Sequence, residues 1–299
     1  MADAMDGGLF GVLPALVTPF SLDGADVNVA VLRAVVDRAI ASGVHGLVPC
    51  GGTGEFTSLS SAERRTIVEV VCEQAAGRVP VVPHTGAITT AEAISHSVHA
   101  QQSGASAVMV GLPYYEPLKP EQVLRYYAAV AAEIDLPIVA YNYPFATGVD
   151  LDAAYLKAIA DAVPSVRYVK DSGGDFSRLA HTSVDLRGQV STFEGIDHHA
   201  GPSLLMGAAG LINGAASVFP GEFAQLYDAH ARGDAGSVIE RWLRLTPFLK
   251  FLDQHPYVST VKHACQLLGL EVGPVRPPTE ELPAEDLAAL ANLVAALSA

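Results

Sequence analysis

The sequence predicts an α/β fold, a closed (β/α)8 TIM barrel with an appended C-terminal helical segment. Three observations carry this prediction. Eight short, apolar, β-rich runs occur at residues 11–17, 46–50, 79–83, 107–112, 137–142, 166–170, 190–194 and 210–213. They start 20 to 35 residues apart, the room that a strand, a crossover helix and two short loops require. The runs are also apolar on both faces, as strands of a buried parallel sheet are. An open doubly wound sheet usually has fewer strands and a Gly-rich nucleotide turn after the first. Here the first turn reads Thr18-Pro19-Phe20.

Helices are predicted between the runs. After the second run, Ser60-Ser61-Ala62-Glu63 offers a capping start, followed by apolar Ile67, Val68, Val70 and Val71 and a stop at Gly77. After the third, a helix opens at Thr90-Ala91-Glu92 and closes at Gly104. Pro120, beyond the fourth run, suits a first helical turn because its missing N–H would have no partner there. Past Arg232 the strand signal ends. Three helical stretches follow, one carrying Trp242, Leu245, Phe248 and Leu249 and the last carrying Leu287, Leu290, Leu293 and Leu297 at helical spacing. The chain is therefore divided into a barrel, 1–232, and a helical segment, 233–299, whose apolar faces must be covered by the barrel or by another subunit.

Composition narrows the function classes. The 299 residues include 18 Lys plus Arg against 32 Asp plus Glu, a net charge of −14, and such a field repels phosphate backbones and anionic membranes. No nucleic-acid or membrane partner is expected. The three cysteines are odd in number and lack CxxC spacing, which suggests neither a disulfide framework nor a zinc ribbon but a reducing, cytoplasmic setting. The start MADAMDGG is acidic and lacks the apolar core of an export signal, and no run approaches the roughly 18 apolar residues of a membrane helix.

Barrel enzymes carry their reacting groups at the C-terminal ends of the strands. Of five lysines, only Lys170 ends a predicted strand. An amine in an apolar barrel mouth is desolvated, which favours its neutral form, and a neutral amine can attack a ketone to form a Schiff base. One strand earlier, Tyr141-Asn142-Tyr143-Pro144 places a phenol where it can pass protons to and from a carbonyl oxygen. Gly51-Gly52-Thr53-Gly54-Glu55 closes the second run with closely spaced N–H groups and a hydroxyl, a nest suited to a carboxylate or a phosphate. It is not a nucleotide P-loop, since no Lys-Ser/Thr pair follows the glycines. An anion nest, a proton-shuttling phenol and a strand-end amine together describe activation of a 2-oxo acid.

On these residues the sequence resembles the dihydrodipicolinate synthase and N-acetylneuraminate lyase superfamily of Schiff-base barrel enzymes. The resemblance covers most of the chain and includes Pro113-Tyr114-Tyr115, Lys170-Asp171-Ser172-Gly173-Gly174-Asp175 and the appended helices. It implies that Lys170 holds pyruvate, or the pyruvate half of a longer 2-oxo acid, as an imine and that no other cofactor is needed. It implies that Tyr141 relays protons, that Gly52 and Thr53 bind the carboxylate, and that Gly195 and Ile212 line the pocket. It further implies a homotetramer, a dimer of dimers, in which Tyr115 reaches into a neighbouring subunit's site.

Two departures bear on substrate. The synthase has paired threonines where this chain has Gly52-Thr53, so one relay hydroxyl is missing and a water or the substrate must replace it. The synthase also has an arginine that grips its amino-aldehyde where this chain has Ala146. The departures favour a lyase acting on a 2-oxo acid, pyruvate-type or a 2-keto-3-deoxy sugar acid, with a dehydratase, a dihydrodipicolinate synthase condensing pyruvate with aspartate semialdehyde, and a non-catalytic 2-oxo-acid sensor as rivals. After Gly195-Ile196-Asp197, His198 and His199 are expected to hydrogen-bond substrate hydroxyls, and Asp197 is counted with His198 among the substrate-binding residues. His96 and His99 lack a third ligand nearby and predict an ordinary helix face, not a metal site. Cys50 predicts a buried free thiol.

Overall fold

The computed structural model describes residues 8–298, so the start of the chain, read above as lacking an export signal, lies outside the described residues. Six parallel strands are formed among the described residues: β1 Gly11–Val12, β2 Val108–Gly111, β3 Ile138–Asn142, β4 Val166–Asp171, β5 Ser191–Glu194 and β6 Gly210–Leu211. Their order is β1-β6-β5-β4-β3-β2, so β1 and β2 stand at the two ends of the row. The predicted second and third runs fill the space between those ends through single parallel bridges, Ala15↔Val48, Leu47↔Val81 and His84↔Met109. Hydrogen bonds Leu16 N to Val48 O (2.9 Å), Val82 N to Leu47 O (2.8 Å) and Met109 N to Pro83 O (2.8 Å) close the ring.

The expectation of eight laddered strands is thus corrected to six strands and two bridge-paired segments. The physical reason is proline. Pro14, Pro49, Pro80 and Pro83 have no N–H to donate, so no continuous ladder can run through these positions.

The eight-fold pattern survives in packing. The barrel interior is filled by Leu13, Val48, Val82, Ala107, Met109, Val139, Tyr168, Phe193 and Ile212, with at least one residue from each of the eight predicted runs. A second, larger apolar layer lies between the ring and its helices. Full burial of each Leu, Ile or Val in these layers contributes about 1.5–3 kcal/mol.

The helix Ser61–Ala75 begins as predicted, with a capping box in which Ser60 accepts from Glu63 N and Glu63 accepts from Ser60 N. The next helix, Thr90–Gln102, opens at Thr90 as predicted, with Thr89 as its N-cap. Pro120 is the first residue of the helix Pro120–Ala131. Beyond the barrel lie the helices Ala235–Gln254, Tyr257–Leu267 and Leu287–Ser298. They bury Leu245, Phe248, Leu249, Leu290 and Leu297. Among the described residues no helix is long and apolar enough to cross a membrane.

Candidate active site

Lys170 lies near the C-terminal end of β4 and is only 5% exposed. It pairs in register with Tyr141 on β3 and with Phe193 on β5. Alternation along β4 sends Tyr168 and Lys170 inward and Val169 and Asp171 outward, because successive side chains of a strand point to opposite faces. The Lys170 Nζ atom is 4.3 Å from the centre of the Tyr141 ring. No carboxylate lies within ion-pair distance of that amine among the described residues. Gly195 makes room for the lysine stem: a Cβ there would come within 3.0 Å of Lys170 Cε and 2.1 Å of Ser172 Oγ.

Behind the lysine a buried ionic cluster orders the following loop. Arg178 donates from Nε to Asp171 Oδ2 (2.6 Å) and pairs with Asp150, while Asn142 Nδ2 donates to Asp171 Oδ1 (3.0 Å). The Asp171 carboxylate also accepts from Gly173 N (2.9 Å). Neighbouring Asp171 is therefore committed to the loop rather than to the amine.

The turn after the second run is held under strain. Cys50 and Glu55, neither a glycine, sit at φ 58° and 56° on either side of Gly51-Gly52-Thr53-Gly54. Left-handed backbone at such residues costs on the order of 1–3 kcal/mol each and persists only where surroundings enforce it. Thr18 Oγ1 donates to Gly54 O (2.7 Å), and buried Lys262 donates to Glu55 Oε1 (2.9 Å). Arg276 N donates to Glu55 Oε2 (2.8 Å). Lys262 and Arg276 belong to the C-terminal segment, which thereby fixes the turn that carries Thr53. Cys50 is a buried free thiol whose pKa is pushed up to about 12 by burial.

Thr53 is 7% exposed and faces the hydroxyl of Tyr257, as the space at Gly214 shows: a Cβ there would lie 2.3 Å from Tyr257 Oη and 2.6 Å from Thr53 Oγ1. The Tyr257 hydroxyl donates to Asp197 Oδ2 at 2.6 Å. Asp197 Oδ1 accepts from Ala215 N at 3.0 Å. Burial raises the Asp197 carboxyl to about 6, against the lowering effect of these two bonds. Both Asp197 oxygens are therefore engaged with protein groups. His198 Nδ1 lies 2.7 Å from an Asp253 oxygen, on a more open part of the surface.

Tyr141 also lines a cavity of about 210 Å³. Its wall includes Gly52, His84, Gly111, Tyr141, Tyr143 and Ala146, and no Asp, Glu, Lys or Arg. Tyr143 stacks on Tyr141 with centroids 5.8 Å apart and planes 4° from parallel. Ile212 is fully buried in the inner core, against which Tyr141 packs. A Cβ on Gly52 would meet nothing within 4 Å, so the space beside Tyr141 is open there.

The structure thus gathers Lys170, Tyr141, Gly195 and Ile212 at the barrel mouth, with Gly52 and Ala146 on the adjoining cavity. Tyr115 is elsewhere. It is 84% exposed and lines a wider groove of about 540 Å³ with Ile88, Glu116 and Arg125, which neither Lys170 nor Tyr141 touches. His96 and His99 approach Glu92 (3.7 Å) and Glu69 (2.8 Å) instead of one another's partner, and no group of three or more metal-ligating side chains occurs among the described residues.

Two groups escape sequence reasoning. His84 directly follows Val81-Val82-Pro83 and is found when the strand-end rule is applied to the third run as well as the sixth. Tyr257 carries no local signal at all, since it stands 60 residues from its partner Asp197.

Comparison with known proteins places this geometry. The dihydrodipicolinate synthetase family model matches residues 8–297. A 4-hydroxy-tetrahydrodipicolinate synthase of Methanospirillum hungatei is 34% identical over 91% of this chain and 93% of its own. An uncharacterised DapA-like lyase of Halobacterium salinarum is 36% identical over 95% of this chain and 92% of its own. Among solved structures, YagE, a prophage protein of the dihydrodipicolinic acid synthase family from E. coli K12 solved in complex with pyruvate, superposes with a TM-score of 0.92. It is 30% identical, covering 97% of this chain and 99% of that one.

Proposed function

This chain belongs to the dihydrodipicolinate synthetase family and is a lyase of the Schiff-base class, and from that premise we propose that it cleaves a 2-keto-3-deoxy sugar acid through an imine on Lys170. The observation that carries the proposal is the buried Lys170 amine, free of any ion-pair partner among the described residues and 4.3 Å from the ring of Tyr141, its partner in strand register.

In this reading Nζ attacks C2 of the 2-oxo acid, and Tyr141 gives its proton to the departing water, which leaves an iminium and a tyrosinate. The C3–C4 bond then breaks, its electron pair moving toward the iminium nitrogen to give an enamine. Tyr141 takes the C4 hydroxyl proton as the aldehyde forms and departs. Protonation at C3 and addition of water release pyruvate and restore the amine. The strained turn at Gly52 and Thr53 receives the substrate carboxylate, with the Thr53 hydroxyl oriented by Tyr257 and Asp197. The mechanism needs no metal or organic cofactor.

The names of several relatives favour a second reading, condensation of pyruvate with aspartate semialdehyde. The cavity beside Tyr141 argues for the first: Ala146 supplies no cation, and the wall holds no other charged side chain to meet a charged aldehyde. Dehydration of the same iminium, by loss of a C3 proton and the C4 hydroxyl, shares the first half of the pathway. We extend the proposal to a cytoplasmic homotetramer, with exposed Tyr115 entering a neighbour's site and residues 233–299 serving as a brace for barrel 1–232.

Borohydride reduction in the presence of pyruvate, followed by peptide mass mapping, tests the core of this reading. The expected adduct sits on Lys170 and is lost in Lys170→Ala. Pyruvate binding without any adduct removes the mechanism, an adduct with turnover of aspartate semialdehyde alone selects the condensation reading, and an adduct without turnover of either substrate class converts the protein to a sensor.

A further inference from the structure

We infer that His84 determines specificity in the reaction proposed above, its Nε2 accepting a hydrogen bond from a substrate hydroxyl beyond C4. The inference rests on the imine reading and adds the chemistry of the half that leaves as aldehyde. His84 stands one residue past Pro83, at the end of the third barrel segment, and is 3% exposed. Its backbone is pinned: the N–H donates to Pro49 O at 3.0 Å, and its carbonyl accepts from Arg64 Nη2 at 2.7 Å. Arg64 also reaches the carbonyl of Gly86, so one guanidinium holds the whole turn.

The ring has one orientation and one tautomer. Nδ1 lies 3.1 Å from the carbonyl oxygen of Cys50, and because a carbonyl only accepts, Nδ1 carries the proton. Burial, then the charges of Arg64 and Lys170, hold the imidazole well below its ordinary pKa, so it stays neutral. Nε2 is then a bare acceptor. It has no hydrogen-bond partner among the described residues and, unlike Thr192 Oγ1 or Asn213 Oδ1, it is not sealed from solvent.

Glycines make the space that Nε2 faces. A Cβ on Gly86 or on Gly111 would come within 2.9 Å of Nε2, and both glycines line the same cavity as His84, Gly52 and Tyr141. The Tyr141 ring meets the imidazole edge-on with centroids 6.1 Å apart, and Lys170 lies against that same tyrosine ring. Amine and imidazole are therefore both neighbours of one phenol ring, and in the proposed pose a substrate fixed at C2 by the amine extends its distal carbons past Tyr141 toward His84. An acceptor in a wall of aromatic and small residues calls for a donor. A carboxylate cannot donate, and the wall offers no acidic group for a cation, so a hydroxyl fits.

The test uses pyruvate with two aldehydes, glyceraldehyde and propanal, which give products with and without hydroxyls beyond C4. Wild-type enzyme is expected to favour glyceraldehyde by about ten- to hundredfold in kcat/KM, the usual range for one buried hydrogen bond lost with its partner left unsatisfied. His84→Phe is expected to bring that ratio near one, the two aldehydes being compared within the variant so that any general loss of rate cancels. His84→Gln, which keeps an acceptor, is expected to restore part of the ratio. A wild-type ratio near one, or an undiminished ratio in His84→Phe, overturns the role of His84. Should His84→Phe fail to trap pyruvate, the wild-type ratio and its fall in His84→Ala decide in the same way. Absence of the adduct in wild-type protein overturns the imine reading instead.

Discussion

Replacing Lys262 by Met is expected to be among the most damaging single changes outside the barrel. The amine is 1% exposed and donates to Glu55 Oε1 at 2.9 Å, so its removal strands a carboxylate that is itself 2% exposed. One bond to that carboxylate would remain, from Arg276 N. Breaking one side of a buried ion pair costs about 3–5 kcal/mol, mostly through the uncompensated charge left behind, whereas an exposed pair would cost under about 1 kcal/mol. A domain holds roughly 5–15 kcal/mol in all, so the loss is a large fraction. Urea denaturation followed by circular dichroism measures it directly. The double change Lys262→Met with Glu55→Gln removes both charges and is expected to recover part of the loss, giving a coupling of at least about 1 kcal/mol in the cycle. Because Glu55 ends the strained turn, the single variant is also expected to raise the KM for the 2-oxo acid more than it lowers kcat. A cost under about 1 kcal/mol, or a double variant no more stable than the single, refutes the view that this pair braces the site.

Two further outcomes follow from the site. Asp197 is raised from 3.8 to about 6, so between those values the native state keeps a proton that the unfolded state has released. Stability from this group is full below about pH 4 and falls by on the order of 3 kcal/mol as the pH rises through 6. Urea titrations of wild type and Asp197→Asn from pH 4 to 8 should therefore show the variant gaining relative stability with pH, and a pH-independent difference refutes the assignment. Gly195→Ala places a methyl 3.0 Å from Lys170 Cε and 2.1 Å from Ser172 Oγ. Borohydride trapping of pyruvate is expected to slow at least tenfold while the circular dichroism spectrum is unchanged, and wild-type trapping rates would show that the glycine does not shape the path of the lysine.

Sequence alone determined the order of the eight barrel segments, the burial of their apolar faces and the meeting of Tyr141 with Lys170. The reason is local and periodic. In a parallel ring, consecutive runs become neighbours and their C-terminal residues share one mouth, so two strand ends read separately are brought into register without further information. Proline defeated the ladder at the second and third segments although the composition around it is that of a strand. The tertiary structure decided whatever depends on partners far apart along the chain. Asp197 turned to Tyr257 and Glu55 to Lys262 across 207 residues, because a buried charge or hydroxyl takes the nearest complementary group that packing brings within reach. The same holds for His84, whose tautomer and open nitrogen are set by a carbonyl and two glycines contributed by other segments of the ring.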